Sequence, residues 1–431
     1  MNGEHPRAMP CLLFADSNGQ IYDFPELEMA GRSAYHFQAP RLEQLIPLPE
    51  GSELFVLPHR YPVGFNPDNG ESLKLKDNPF ATGEVQAVAA FISPAYTLNH
   101  LTAFEKDNSS PAPLPLFAYS AVGWYDDTFW VSAFRSDTSR RQDICRFDPD
   151  RIERQTVKSL RQHPANRLIQ HLGKCSLTYS CPAARNFFLE RDEAPLPCSP
   201  VCNARCLGCI SLQPSGCCPS TQERIKFIPS PEEIAGIAVS HLQKVKSHGV
   251  VSFGQGCEGE PLLQEDTIAR AIKLIRRQTA NGTINLNTNA SRPEAVARLA
   301  EAGLDSMRAS MNSARPEVHQ RYYRPRDFNL DSVSRSIKEM KKRGRFVSLN
   351  YFIFPGVSDC PEEFKALCRF IDDCGPDFIQ LRNLNMDPDW YLEGIKHPAE
   401  SISMGIREWL AELQIRYPGL GFGYFNPPLA P

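Results

Sequence analysis

The pattern of apolar and polar positions changes near the middle of the chain. From residue 230 onward, segments with helical apolar spacing alternate with short apolar runs typical of strands. The first helix has a capping-box start at Ser230 and Glu233, with Pro231 at its first position. The alternation comprises five βα units, and strands are predicted at 250–253, 283–289, 306–311, 346–354 and 378–385. It predicts an α/β fold with a parallel sheet, either doubly wound or closed toward a barrel.

The first part of the chain has a different sequence pattern, in which short runs typical of β-strands alternate with long, proline-rich loops. We expect a β-rich N-terminal domain at 1–150 and a helical connector at 151–193. The alternating domain is expected at 194–390, followed by a C-terminal helix and tail at 391–431. In either kind of parallel sheet, ligands bind at the carboxyl ends of the strands.

The charge balance is nearly neutral, with 47 Lys and Arg against 50 Asp and Glu and a net charge of −3. We therefore expect no nucleic-acid partner held mainly by charge, although a nucleic-acid substrate is not excluded. The apolar stretches are much shorter than the roughly 20 residues of a membrane-spanning helix. The polar N-terminus lacks the pattern of a secretion signal. We expect a cytoplasmic protein with no membrane partner.

Cysteine placement is the strongest chemical signal, because eight of the fourteen cysteines lie between residues 175 and 218. In a long intracellular chain, such clustering indicates metal binding or redox chemistry more often than disulfides. Cys202, Cys206 and Cys209 have C-x3-C-x2-C spacing just before the first helix of the alternating region. Three thiolates in a short loop can bind three irons of a [4Fe-4S] cluster and leave the fourth iron open.

This loop, with motifs downstream, resembles the radical S-adenosylmethionine (SAM) superfamily, and the chain is similar to its bacterial members. Gly259, Glu260 and Pro261 resemble that family's Gly-Gly-Glu-Pro motif, which contacts the methionyl amino group of SAM. The resemblance implies further cofactor contacts from residues at or after the later strands: Asn287, Asn289, Ser310, Asn312, Arg321, Arg324 and Gly356.

The resemblance implies a partial (β/α)6 TIM-like barrel and a radical SAM enzyme with a [4Fe-4S] cluster and SAM as cofactors. Reductive cleavage of SAM would give a 5′-deoxyadenosyl radical that abstracts hydrogen from a substrate. The substrate, a small molecule or a peptide, is not identified by the sequence. An electron donor such as flavodoxin or ferredoxin is the implied partner.

Two positions depart from the family pattern. Gly208 stands before the third cysteine, where an aromatic residue is usual, and Glu258 stands in place of the first glycine of the Gly-Gly-Glu-Pro motif. Two other functions remain open. One is an activase or maturase that modifies a peptide or protein, with the N-terminal domain recognising that partner. The other is a non-catalytic protein with a structural zinc or iron–sulfur site, completed by Cys198 or Cys217.

The remaining cysteines have less defined roles. A second cluster is a further possibility, with ligands drawn from Cys175, Cys181, Cys198, Cys217, Cys218 and Cys257. Cys360, Cys368 and Cys374 fall at or near an apolar helical stripe, so they are expected to be core or edge residues.

Overall fold

The computed structural model describes residues 9–140, 142–213 and 218–429. They form two compact units. The first comprises the described residues up to Thr138 with Phe352–Phe364 and Arg382–Arg416, and the second comprises Ser139–Tyr351, Lys365–Leu381 and the described residues from Tyr417 onward. Each domain predicted from the sequence is one continuous segment, with boundaries at 150, 193 and 390. In the structure, the chain leaves the second unit twice and returns to it. The hydrogen bond from Ala34 N to Pro355 O, 2.8 Å long, is one contact that ties a later segment into the first unit.

The strands of the first unit are β1 (Cys11–Ala15), β2 (Ile21–Met29), β3 (Gly31–Ser33), β4 (His36–Gln38), β5 (Leu45–Pro47), β6 (Glu53–Leu57), β7 (Arg60–Phe65), β8 (Ser72–Lys74), β9 (Gln86–Phe91), β10 (Tyr96–Leu98), β11 (Leu101–Thr102), β12 (Phe104–Lys106), β13 (Val122–Tyr125) and β14 (Thr128–Arg135). The following strands are β15 (Glu193–Pro195), β16 (Val250–Phe253), β17 (Thr283–Thr288), β18 (Ser306–Met311), β19 (Phe346–Ile353), β20 (Phe378–Asn383) and β21 (Gly421–Gly423).

The α-helices are α1 (Pro149–Gln162), α2 (Arg167–Leu177), α3 (Pro182–Phe188), α4 (Pro231–Val245), α5 (Glu265–Gln278), α6 (Pro293–Ala302), α7 (Pro316–Tyr323), α8 (Leu330–Lys342), α9 (Pro361–Cys374), α10 (Pro388–Ile395) and α11 (Ile406–Arg416).

The first unit is built from short antiparallel strands. Its main sheet follows the path β10-β14-β13-β1-β2-β7-β12, and β11-β3-β4 form a smaller sheet. A buried ion pair helps to hold the later segment in this unit, because Asp387 Oδ2 accepts from Arg60 Nη2 at 2.9 Å. The same aspartate caps α10 by accepting from the backbone amides of Asp389 and Trp390.

The second unit contains the alternation that the sequence predicts. Its sheet has the order β15-β16-β17-β18-β19-β20-β21, with β15 to β19 paired in parallel and β21 parallel to β20. The prediction of an α/β fold with a parallel sheet is confirmed. The segment predicted as a C-terminal helix and tail also supplies β21. Its sequence, Gly-Phe-Gly, is too short to carry a strand pattern.

Helix α4 shows how local sequence starts these units. Ser230 Oγ accepts from Glu233 N at 3.2 Å, and Glu233 Oε2 accepts from Ser230 N at 2.8 Å, which confirms the capping box. The buried face of the helix carries Ile234, Ile237 and Leu242, so its apolar stripe lies in the core.

Within the part of the chain that the structure describes, every helix is either too short or too polar to cross a membrane.

Candidate functional site

The three predicted cluster cysteines lie in the loop between β15 and α4. Cys202, Cys206 and Cys209 are half-buried, whereas nearby Cys198 is fully buried. One side of this cysteine loop pairs with the end of α7 and the residues after it. Arg205 N donates to Tyr323 O at 2.9 Å, and Leu207 N donates to Tyr322 O at 3.0 Å. The loop backbone is therefore held in place although it belongs to no strand or helix.

The other side of the cysteine loop pairs with the segment after β16. Gly259 N donates to Ser199 O at 2.7 Å, and Glu260 N donates to Val201 O at 2.8 Å. A Cβ atom on Gly259 would lie 2.0 Å from Val201 O, so only glycine allows this approach. The predicted Gly-Glu-Pro motif thus contacts the chain directly before Cys202.

Glu258, which replaces the first glycine of the family motif, connects both segments. Its Oε2 accepts from Cys198 N at 2.8 Å and Ser199 N at 3.0 Å. Its Oε1 accepts from Gly254 N at 2.6 Å and Gln255 N at 2.8 Å. Burial raises the pKa of this carboxyl, and the four backbone hydrogen bonds oppose that shift. Sequence reasoning noted Glu258 only as a departure, because its partners are backbone groups that leave no sequence signal.

Glu260 joins the ends of β16 and β17. Its carboxylate accepts from Leu262 N at 3.0 Å, Asn289 N at 2.9 Å and the Thr288 hydroxyl. Burial raises the pKa of Glu260 to about 7, although these hydrogen bonds stabilise the ionised form. The following Pro261 is buried and begins a short 3-10 helix. Glu260 is therefore a buried acid at the strand ends rather than a solvated loop residue.

The two predicted asparagines of the β17 region have different surroundings. Asn289 Nδ2 donates to Asn203 Oδ1 at 2.8 Å, so this side chain positions the cysteine loop. Asn287 Oδ1 accepts from Asn285 Nδ2 at 2.8 Å. Asn287 Nδ2 is buried and has no hydrogen-bond partner among the residues that the structure describes. A buried donor of this kind can serve a bound ligand.

The thiols of the cysteine loop lie close enough to affect one another. Burial raises the pKa of Cys206 far above its usual value, and the charges of Cys209 and Cys202 add to that effect. Burial followed by the charge of Glu260 raises the pKa of Cys202 to about 11. Arg224 Nη2 donates to Cys209 Sγ at 3.5 Å, which places a cation beside the thiols. Sequence reasoning missed Arg224, because it carries no motif and lies fifteen positions after Cys209.

The other predicted cofactor residues lie at separate positions in the structure. Ser310 is half-buried near the end of β18, and Asn312 is buried just after it. Arg321 is exposed on α7, and Arg324 is exposed with a left-handed backbone where that helix ends. Gly356 follows β19 and belongs to the first unit, where its φ is +86°. Their contacts with a cofactor stay predictions.

A chain of polar side chains that sequence reasoning missed connects residues of the parallel sheet. Asn426 Nδ2 donates to Glu193 Oε1 at 2.8 Å and Gln380 Nε2 donates to Asn426 Oδ1 at 2.7 Å. Arg308 Nη1 donates in turn to Gln380 Oε1 at 3.0 Å. Gln380 is fully buried and Asn426 nearly so. Polar residues at strand positions were the available signal, but the sequence does not show which face of the sheet they share.

The cysteines considered for a second cluster separate into groups. Cys175, Cys181 and Cys257 pack together, with His171 beside Cys175. Burial, followed by the charge of the Glu258 carboxylate, raises the pKa of the Cys198 thiol well above its usual value. Cys218 is buried, and Cys217 lies outside the described residues. Cys360, Cys368 and Cys374 are buried, as expected for core residues.

Comparison with known proteins identifies relatives that match part of this chain. The GTP 3′,8-cyclase of Aquifex aeolicus is 28% identical over 211 residues, which cover 48% of this chain and 62% of that protein. A probable dual-specificity RNA methyltransferase RlmN of Synechococcus is 28% identical over 162 residues, which cover 36% of this chain and 42% of that protein. The chain thus spans less than two thirds of either relative.

Similar solved structures include a radical SAM methyltransferase from Sphaerobacter thermophilus, with 14% identity and a TM-score of 0.37 over 53% of this chain and 64% of that one. The family model of the Radical SAM superfamily matches residues 196–371, which contain the cysteine loop and the Gly-Glu-Pro motif. Residues 196–371 of this chain thus match the Radical SAM superfamily.

Proposed function

We propose that this chain is a radical SAM enzyme whose [4Fe-4S] cluster is held by Cys202, Cys206 and Cys209. The supporting observation is that three half-buried thiols share one loop, and this loop is hydrogen-bonded to the segment at the end of β16. Ligands of parallel α/β folds bind at that end of the strands. We also propose that β15 to β20 form the partial (β/α)6 barrel of this family, with β21 as an added strand.

The donor set of the cysteine loop fits a cluster with one open iron. A cubane normally takes four thiolates, and the loop provides three. A structural zinc site would need a fourth ligand, and the candidate Cys198 is fully buried, with its pKa raised by burial and then by the Glu258 carboxylate. Among the described residues, the His and Cys ligand atoms that lie close enough together for a single ion belong to His171, Cys175 and Cys257, outside the cysteine loop. These observations favour the cluster over the structural zinc alternative.

Cys202, Cys206 and Cys209 would hold the cluster, which when bound and reduced would supply the electron for cleavage of SAM to methionine and a 5′-deoxyadenosyl radical. The protein's own contribution is to bind, orient and exclude water. Arg224, beside Cys209, offsets the negative charge that accumulates on three thiolates. The family resemblance adds an electron donor such as flavodoxin or ferredoxin as a proposed partner.

SAM would meet Glu260 and Asn287 beside this loop. The Glu260 carboxylate has about four lone pairs and gives three of them to protein donors, so it retains an acceptor for the ammonium group of SAM. The Asn287 Nδ2 atom offers a buried donor. Both groups are shielded from water, where a charge-assisted hydrogen bond is strongest.

The substrate we propose is polar. The chain from Glu193 through Asn426 and Gln380 to Arg308 begins with a carboxylate and ends with a guanidinium. A buried network of this kind favours a ligand that hydrogen-bonds over an apolar one. GTP and RNA, named in the relatives, are therefore the first substrates to test. The Arg308 and Glu193 side chains do not by themselves favour a peptide substrate over a nucleotide.

Replacement of Cys206 by alanine tests the proposed activity. Wild-type protein, reconstituted with iron and sulfide without oxygen and supplied with reductant and SAM, should form 5′-deoxyadenosine. Cys206→Ala should form none, because two thiolates do not hold the cluster in place. The control Cys145→Ala removes an exposed cysteine outside the loop and should retain full activity. Wild-type protein without product, or equal product from Cys206→Ala, would contradict the proposal.

Replacement of Glu260 by glutamine tests the SAM contact. The variant should keep its cluster spectrum but bind SAM about ten- to hundredfold more weakly, the cost of losing a charged hydrogen-bond partner. Because the pKa of Glu260 is about 7, the carboxylate forms as pH rises through 7. Wild-type affinity should increase up to about tenfold from pH 6 to 8. Equilibrium dialysis should find no such increase in Glu260→Gln. A variant with wild-type affinity and the same pH profile would refute this role.

Replacement of Glu258 by glutamine tests what holds the cysteine loop. The amide keeps one acceptor oxygen, and its NH2 group would face two backbone donors that it cannot satisfy. We expect the free energy of unfolding to fall by about 2–4 kcal/mol, with lower cluster content after reconstitution. Denaturant unfolding measures the change, and the exposed Glu362→Gln is the matched control. Unchanged stability and full cluster content would show that Glu258 does not hold the loop.

A further inference from the structure

A second group of metal-binding side chains lies outside the cysteine loop. His171 and Cys175 are one turn apart on α2, and Cys257 lies in the segment after β16. One ligand atom from each residue lies within 4.8 Å of the other two. Cys175 Sγ and His171 Nε2 are 3.6 Å apart. Two elements far apart in sequence thus bring two thiols and an imidazole to one point.

Cys181 provides a candidate for a fourth ligand. It packs against the cluster of Cys175, Ala184 and Cys257, beside the compact group of three ligand atoms but not within it. Its backbone amide donates to Cys175 O at 3.1 Å. The residue stands directly before α3, where burial raises the pKa of its thiol to about 11 and the nearby backbone amides of Ala184 and Ala183 oppose that shift.

The spacing favours one ion rather than a cluster. Metal–sulfur bonds of about 2.3 Å and metal–nitrogen bonds of about 2.0 Å in a tetrahedron place ligand atoms roughly 3.5–3.8 Å apart. The 3.6 Å between Cys175 Sγ and His171 Nε2 lies within that range. Thiolates of a cubane each bind a different iron, which holds them farther apart.

We propose that His171, Cys175, Cys181 and Cys257 bind a single Zn²⁺ ion in a Cys3His site. Cys3His is an established ligand set of structural zinc. Cys175 and Cys257 are buried, whereas His171 is half-exposed and leaves a path for the ion to enter. The Phe227 ring stands edge-on to the His171 ring, with centroids 6.3 Å apart, and restricts its orientation.

The position of Cys257 gives this site a structural purpose. The next residue in the chain is Glu258, whose carboxylate holds the cysteine loop. An ion on Cys257 would fasten α2 and the start of α3 to the segment that positions the proposed cluster. The zinc proposal does not rest on the proposed enzyme activity, because it uses none of the three cysteines in the loop.

The zinc proposal is tested in a variant that lacks the three cysteines proposed to bind the iron–sulfur cluster. The variant Cys202→Ala/Cys206→Ala/Cys209→Ala, purified as the full chain, should retain one zinc per chain by elemental analysis. Adding Cys175→Ala/Cys257→Ala to this background should abolish the zinc. The matched control adds Cys360→Ala/Cys368→Ala, which removes two other buried cysteines and should leave the zinc in place. X-ray absorption at the zinc edge should show three sulfur neighbours and one nitrogen neighbour.

A milder variant keeps the proposal testable if the double substitution prevents folding. His171 is half-exposed, so His171→Ala should fold. Its affinity for added Zn²⁺, measured by chelator competition, should fall by more than the roughly 10–100-fold that loss of an outer-shell partner costs. Absence of zinc from the triple variant, zinc retained after loss of Cys175 and Cys257, iron with sulfide at this site, or a Cys175–Cys257 disulfide would each overturn the proposal.

Discussion

The candidate site depends on the hydrogen bonds between the Glu258 carboxylate and four backbone amides. Burying a carboxylate is costly, and four backbone amides offset that cost by donating to its two oxygens. These amides come from the segment before the cysteine loop and from the segment after β16, so one side chain fixes both. The backbone pairing of Gly259 with Ser199 and of Glu260 with Val201 follows from that register. The backbone pairing therefore also fixes the position of Cys202, which directly follows Val201.

The same arrangement explains why polar groups gather at the strand ends. Parallel strands direct their carboxyl ends to one side of a sheet, and the following loops carry backbone groups that need partners. Glu258, Glu260 and Asn289 satisfy many of these groups and thereby hold the loops rigidly. In the proposed function, the Asn287 donor and the remaining acceptor of Glu260 are available to SAM. Structural roles and proposed ligand-binding roles thus occur on neighbouring residues, and a motif alone does not distinguish them.

Sequence patterns predicted the parts of the structure that depend on local spacing. The βα alternation, the capping box at Ser230 and the three-cysteine loop all follow from intervals of a few residues. Arg224 and the network from Glu193 to Arg308 could not be predicted, because their partners are distant in sequence and partly backbone. Strand β21 was missed because three residues carry no periodicity, and it gains its place only by pairing with β20. The discontinuous first unit was missed because tertiary contacts, not composition, assign Phe352–Phe364 and Arg382–Arg416 to it.

The central claim is that Cys202, Cys206 and Cys209 hold a [4Fe-4S] cluster with one iron open to SAM. Mössbauer spectroscopy of protein reconstituted with ⁵⁷Fe tests it most directly, because each iron contributes equally to the spectrum. On addition of SAM, about a quarter of the absorption area should shift to the parameters of an iron with a higher coordination number, while the rest stays unchanged. A spectrum that SAM leaves unaltered, with four equivalent thiolate-ligated irons, would contradict the account.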